Sequence, residues 1–153
     1  MTARSKILFG TLSIASLGAI LAGVACNNAS SASAVNVTLR EFSVTPDQSV
    51  VPKGTVTFHV SNTGTVDHEF LVIKTDLAPD SLPKESNGSY QENGPGTSLL
   101  EEIDDVPPGQ TRDLSIDLAQ ANYVLICNMV HQNPDGTVDA HYSRGMRTAF
   151  RVD

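Results

Sequence analysis

The chain has 153 residues, with 10 Lys plus Arg against 17 Asp plus Glu, a formal net charge of −7, and 40% hydrophobic residues. So acidic a balance argues against a nucleic-acid partner, which requires a basic face, and the length allows one domain with a real core. An acidic domain of this size meets partners carrying a basic patch, at a rate that falls with ionic strength.

Arg4 and Lys6 precede an apolar run from Ile7 to Ala25 that becomes small and Gly-rich toward its end, the three-part layout of a secretory signal. Residues 1–25 are therefore expected to be a signal peptide, which places the rest on the periplasmic or extracellular side; a retained membrane anchor is the alternative. Once Arg4 and Lys6 are removed, 8 basic residues face 17 acidic ones, a net charge of −9. Cys26, followed by Asn27, Asn28 and a Ser/Ala stretch, resembles a bacterial lipoprotein junction with a flexible tether over 26–34, so a lipid anchor at Cys26 is one expectation. Such signals usually carry Leu where this chain has Gly23, and Leu21 comes two residues too early. The competing cut follows Ala34, where Ala32-Ser33-Ala34 has the small-x-small form of a signal-peptidase site and would release a soluble protein. If Cys26 is lipidated or removed, Cys127 is the one remaining thiol in an oxidising compartment, hence a reactive group or a metal ligand.

From Val35 onward the chain reads as one domain, 35–153. Val35, Val37 and Leu39 alternate with polar residues, as do Val56, Phe58 and Val60, the signature of half-buried strands. Glu69 to Thr75 is nearly continuous apolar sequence, Leu114, Ile116 and Leu118 alternate, Tyr123 to Cys127 is apolar throughout, and Met146, Thr148, Phe150 and Val152 share one face. Turn formers separate these segments at Pro46, Pro52-Lys53-Gly54, Asn62-Thr63-Gly64 and Pro107-Pro108-Gly109, which predicts an all-β, antiparallel Greek-key sandwich. The stretch from Asp76 to Thr97, rich in Pro, Gly, Asn and Ser, is too long for an ordinary connection and is expected to cover a sheet edge or to move; Ser98 to Asp105 reads as one helical turn.

His68, Cys127, His141 and Met146 fall at strand ends or in the last loop, where two-sheet packing can gather them at one pole. The mixture suits copper. Cu(I) prefers soft sulfur and Cu(II) prefers imidazole, so two His, one Cys and a weak axial Met hold both states, with backbone donors to the sulfur and an apolar shell setting the potential. Taken singly, each residue has a blander reading: a hydrogen-bonded strand-end His, a buried core thiol, a core Met sharing a face with Phe150. Only the conjunction points to metal. His59 lies on the polar face of its strand and is assigned no role, while His131, with three residues between it and Cys127, is either a second candidate ligand, a proton-linked neighbour or a solvated loop residue.

With "VTLREFSV", "GTVTFHVSNTG", "DHEF", "ANYVLICN" and "HYSRGM" in this order, the chain resembles the plastocyanin/azurin-type blue copper cupredoxins from about Val35 to Asp153. The resemblance implies one type 1 copper ion held by His68, Cys127, His141 and Met146, with electrons passing through an exposed edge of His141. It departs from the family in the ligand loop, where thirteen residues rather than a few separate Cys127 from His141. Family members keep Met a few residues after the second His, which selects His141 over His131. Lengthening the loop costs only about 1 kcal/mol of closure entropy, and Asn133-Pro134-Asp135-Gly136 predicts a small hairpin beside the site, available for docking.

The expected function is one-electron transfer between redox proteins by a monomer that is not an enzyme. The alternative is a module that captures copper or delivers it to an oxidase, against which the small number of Met residues argues. Multicopper oxidases and copper nitrite reductases need further His sites, often His-x-His pairs, and the sequence has none. A dinuclear copper centre needs a second Cys in the ligand loop. A hydrolase built on Cys127 and His131 lacks any oxyanion-hole feature. The acidic run Glu101-Glu102 and Asp104-Asp105 reads as a solvated face or a docking patch.

Overall fold

The computed structural model describes residues 31–153; the expected signal peptide, Cys26 and residues 27–30 lie outside the described residues. In chain order the elements are β1 (Ser31–Arg40), β2 (Ser43–Pro46), β3 (Val50–Val51), β4 (Gly54–Asn62), β5 (His68–Thr75), β6 (Thr97–Val106), β7 (Thr111–Leu118), β8 (Ala121–Ile126), β9 (Val130–Gln132), β10 (Val138–Ala140), α1 (His141–Arg144) and β11 (Arg147–Val152). They form a sandwich of a four-stranded sheet, β2-β1-β4-β7, and a five-stranded sheet, β3-β11-β8-β5-β6, with β9 and β10 as a separate hairpin.

Period-two sequence makes the four-stranded sheet dry on one face and wet on the other. Val35, Val37, Leu39, Val56, Phe58 and Val60 are all buried against the second sheet. On the opposite face the β4–β7 register pairs each polar side chain with a polar partner: Thr55 with Asp117 at 2.6 Å, Thr57 with Ser115 at 2.8 Å, His59 with Asp113 at 2.7 Å and Ser61 with Thr111 at 2.8 Å. His59 is thus half-exposed in a surface pair, away from any site. Between the sheets, Phe58 packs its ring on Phe70 and Phe150 with centroids 5.3 and 5.4 Å apart. Truncating it to Ala costs about 3–5 kcal/mol.

Two pairings are parallel rather than antiparallel: β1 with β4, and β3 with β11. The expected β-sandwich is present, its remaining pairings antiparallel, with these two parallel pairings added. The reason is connectivity, since after β2 the chain crosses to the other sheet at β3 and returns as β4 on the far side of β1, running in the same direction. The first strand also begins earlier than the expected tether allows. Residues Ser31 to Ala34 pair with Gly54 to Thr57, so a cut after Ala34 would remove four residues from β1.

Residues 76–96 do not cover an edge; they cover the outer face of the five-stranded sheet. Leu82 and Tyr90 from this excursion pack with Leu71, Ile73, Val124 and Ile126 into a second core closed by Tyr142. Burial on both faces explains why β5 and β8 read as continuous apolar runs rather than alternating ones. The helical turn expected at Ser98 to Asp105 is instead part of β6, whose pairing with β5 carries two register shifts. These irregularities break its alternation, and Glu101, Glu102, Asp104 and Asp105 make this edge strand a poor template for further pairing. The expected hairpin is present as β9–β10, closed by Gly136 N–H donating to Asn133 C=O at 2.9 Å.

Candidate metal centre

His68 opens β5, Cys127 follows β8, and His141 opens α1, so the three come together from different elements. Their Nδ1 and Sγ atoms, all buried, lie within 4.8 Å of one another. Cys127 Sγ is 3.3 Å from His141 Nδ1 and 3.7 Å from His68 Nδ1, and the two Nδ1 atoms are 3.1 Å apart. Both imidazoles present the same nitrogen to the sulfur, a convergence that hydrogen bonding of two separate core histidines does not require. Met146 is fully buried in the same core, its backbone tied to both neighbours: Cys127 N–H donates to its carbonyl at 3.1 Å and its N–H donates to the His141 carbonyl at 3.0 Å.

Each position has a local cause. The α1 turn ends at Gly145, whose φ of 124° suits glycine, and a Cβ there would lie 3.2 Å from the Phe42 carbonyl. That return leads into Met146, whose backbone bonds to Cys127 and His141, and into β11. Tyr142, next to His141, is buried and fastens the 76–96 excursion: its hydroxyl donates to the Pro79 carbonyl at 2.8 Å and accepts from Leu82 N–H at 3.0 Å. Asn128, next to Cys127, clamps Tyr90 through both of its backbone groups, at 2.6 and 3.1 Å. The long excursion therefore braces the residues beside two of the donors, a role that composition alone does not disclose.

Burial governs the electrostatics. It pushes the Cys127 thiol up to about 12, against the pull of backbone N–H groups of Glu69 and Met129, the former 3.4 Å from Sγ. Desolvation, with the neighbouring histidines, lowers His141 to about 4, and desolvation also lowers His68. Two neutral imidazoles and a desolvated sulfur form a poor proton site and a good metal site, because a bound cation stabilises the thiolate that burial alone disfavours.

The two-residue turn between β1 and β2 places one side chain on each histidine. Glu41 Oε1 lies 3.6 Å from His68 Nε2, and the Phe42 ring stands edge-on to His141 with centroids 5.3 Å apart. Neither residue stood out in the sequence, since a charged residue followed by an aromatic one at a strand end has no distinctive pattern. On the other side, His131 of β9 packs its ring 4.9 Å from His141, with its Nε2 buried and without a hydrogen-bond partner. His131 is thus neither a solvated loop residue nor within the close donor cluster. It is part of the roof.

That roof corrects one expectation: His141 is only 1% exposed, so it offers no open edge to a partner. Phe42 covers it from the β1–β2 turn, and His131 from the lengthened ligand loop, which folds back as the β9–β10 hairpin. Two open clefts, of about 570 and 520 Å³, are lined by residues around Thr75, Asp76 and Asn122, and none of the donors takes part. The donor cluster is buried away from both clefts.

Two imidazole nitrogens, one thiolate sulfur and a neighbouring thioether fit one type 1 copper ion by the softness and number of the donors. Compared with known proteins, residues 13–139 match the family described as the Cupredoxin-like domain. No curated protein matches the chain. Among solved structures it is similar to dithionite-reduced auracyanin from the photosynthetic bacterium Roseiflexus castenholzii, at 20% identity and a TM-score of 0.50 over 80% of this chain and 96% of that one. It is also similar to auracyanin A, a "blue" copper protein from Chloroflexus aurantiacus, at 18% identity and a TM-score of 0.51 over 80% and 100%. Rusticyanin from Thiobacillus ferrooxidans matches at 14% identity and a TM-score of 0.50 over 78% and 76%. At such identities the likeness is one of fold. The family match stops at Asp139, short of His141 and Met146; the distances above place His141 with the other donors, and Met146 is buried beside them with backbone bonds to Cys127 and His141. With the match spanning most of its length, the chain belongs to the cupredoxin-like domain family.

Proposed function

We propose that the chain is a one-electron carrier that binds a single copper ion through His68, Cys127, His141 and Met146. The observation that carries this reading is the burial of two Nδ1 atoms and one Sγ within 4.8 Å of one another. Copper held there supplies a Cu(II)/Cu(I) couple. The protein's own part is to keep the donors still and dry. Phe42 and His131 both pack on the His141 ring, Asn128 and Tyr142 fix the backbone beside Cys127 and His141, and the Glu69 N–H points at the sulfur. Donors that do not move between redox states keep reorganisation small, the condition for fast transfer. With His141 covered, electrons leave through the half-buried roof of Phe42 and His131 rather than through a bare ligand edge.

The auracyanin and rusticyanin likenesses support a carrier by analogy of fold, as does the absence of His-x-His pairs that an oxidase would use. Export follows from the leader-like N-terminus, with lipidation at Cys26 as the tethering route; no helix among the described residues is long and apolar enough to cross a membrane. The acidic edge strand β6 fits a redox partner with a basic docking face.

Copper capture or delivery is the second reading. A delivery site exchanges metal readily, which the burial of the donors disfavours. Titrating the metal-free protein with Cu(II) and following the visible thiolate-to-copper charge-transfer band tests both. A blue species that saturates at one equivalent, cycles reversibly and resists a competing chelator supports the carrier. Colourless binding, or metal lost within seconds to the chelator, sinks it.

A further inference from the structure

His68 is fully buried, and its outer nitrogen, Nε2, has no hydrogen-bond partner. A buried, unpaired imidazole nitrogen is costly and calls for an explanation. The group facing it is the Glu41 carboxylate, with Oε1 at 3.6 Å, within ion-pair reach and one small adjustment from a hydrogen bond. This carboxylate is seated rather than loose. Oε1 accepts from Thr65 N–H at 2.6 Å and Val66 N–H at 2.9 Å, and the side chain is only 23% exposed. The seat also depends on Gly64, where a Cβ would lie 2.5 Å from Oε1. Two backbone N–H groups donating to the same oxygen favour the ionised carboxylate.

Resting on the copper reading above, we infer that Glu41 is a positioning residue of the metal centre: its carboxylate accepts the Nε2–H of His68 and so commits Nδ1 to the metal. An imidazole has one proton to place when neutral. Fixing it on Nε2 leaves the Nδ1 lone pair free, which is how carboxylates orient metal-bound histidines in general. The anion has a second effect: set one ring's width from the donor nitrogen in partly buried surroundings, it stabilises Cu(II) more than Cu(I). Glu41 and Phe42, adjacent in sequence, thereby divide the work, one holding each histidine.

The test is E41Q, which keeps a carbonyl acceptor for Thr65 and Val66 but loses the charge, with G64A as a second variant that displaces the carboxylate without altering it. Two readouts apply to the full-length protein. In the copper-loaded form, both variants should shift the Cu(II)/Cu(I) equilibrium toward Cu(I) by about tenfold, a rise of about 59 mV for one electron. In the metal-free form, imidazole ¹⁵N NMR should show His68 as the Nε2–H tautomer in the unmodified protein, a preference weakened in E41Q. A Cu(II)/Cu(I) ratio within a factor of two of the parent in both variants, with the His68 tautomer unchanged, overturns the inference even if stability drops. If the parent forms no blue centre, the carrier reading fails instead, and the tautomer measurement still decides the role of Glu41.

Discussion

Asn62 offers a sharp test of how the fold holds the site. It ends β4 and is 1% exposed, and its amide makes three hydrogen bonds: Nδ2 donates to the Val66 carbonyl at 2.8 Å and the Val106 carbonyl at 2.7 Å, and Oδ1 accepts from Gly64 N–H at 2.8 Å. It therefore ties the 63–67 loop, which seats Glu41 and leads into His68, to the end of β6. In Asn62→Ala two carbonyls and one N–H lose their partner. At about 1 kcal/mol for each bond the loss is about 3 kcal/mol. For a folded region of this size that lowers the melting temperature by roughly 10–15 °C. Urea and thermal melts of the metal-free protein measure it, with Thr57→Ala as the control, because its 2.8 Å bond to Ser115 lies on the solvated face and its removal should cost about 0.5 kcal/mol or less. A loss below 1 kcal/mol for Asn62→Ala, or one no larger than the control, would refute the argument that this amide is the tie.

Replacing His141 by Ala should abolish the blue band, whereas His131→Ala should keep it and expose the site; loss of the band on the His131 change alone would reverse the ligand assignment. Acid should destabilise the metal-free protein in two overlapping stages. His141, lowered to about 4, contributes stability that is complete above its unfolded value of 6.5 and lost as pH falls toward 4; Glu41, lowered to about 2, adds a loss from 4.5 downward. Denaturation free energies measured from pH 7 to pH 3 should change little down to about 4.5, where a gain from Glu69 offsets the loss from His141, and fall steeply below it. Glu69 works in the opposite sense: burial, reinforced by Glu102, Glu92 and Asp104, pushes it up to about 7, so its contribution is complete below 4.5 and lost as pH rises through 7. Glu69→Gln should therefore raise stability at pH 8 while leaving pH 4 nearly unchanged, which a pair of urea melts would check. Copper binding needs the Cys127 thiolate, so the apparent affinity should rise with pH as the displaced proton becomes easier to lose; isothermal titration in buffers of different ionisation enthalpy counts that proton.

Much of this protein is legible in its residues alone. Strands with one buried face announce themselves by alternation, as in Val56-Phe58-Val60, and the donor types announce copper because few other ions call for two His, one Cys and one Met. Where a second layer intrudes, the signal blurs. β5 and β8 lose their alternation because the 76–96 excursion buries their outer face, and β6 mimics a helical spacing because its pairing slips. The parallel pairing of β1 with β4 was out of reach, since it depends on which sheet the chain visits in between. So was the burial of His141, which follows from how an insertion folds back, and the approach of Glu41 and Phe42, which lie far from both histidines in sequence. Local pattern records what each strand does with its own two faces; tertiary structure alone decides what covers the metal site and which charge stands behind its ligand, because those contacts join segments that no periodicity links.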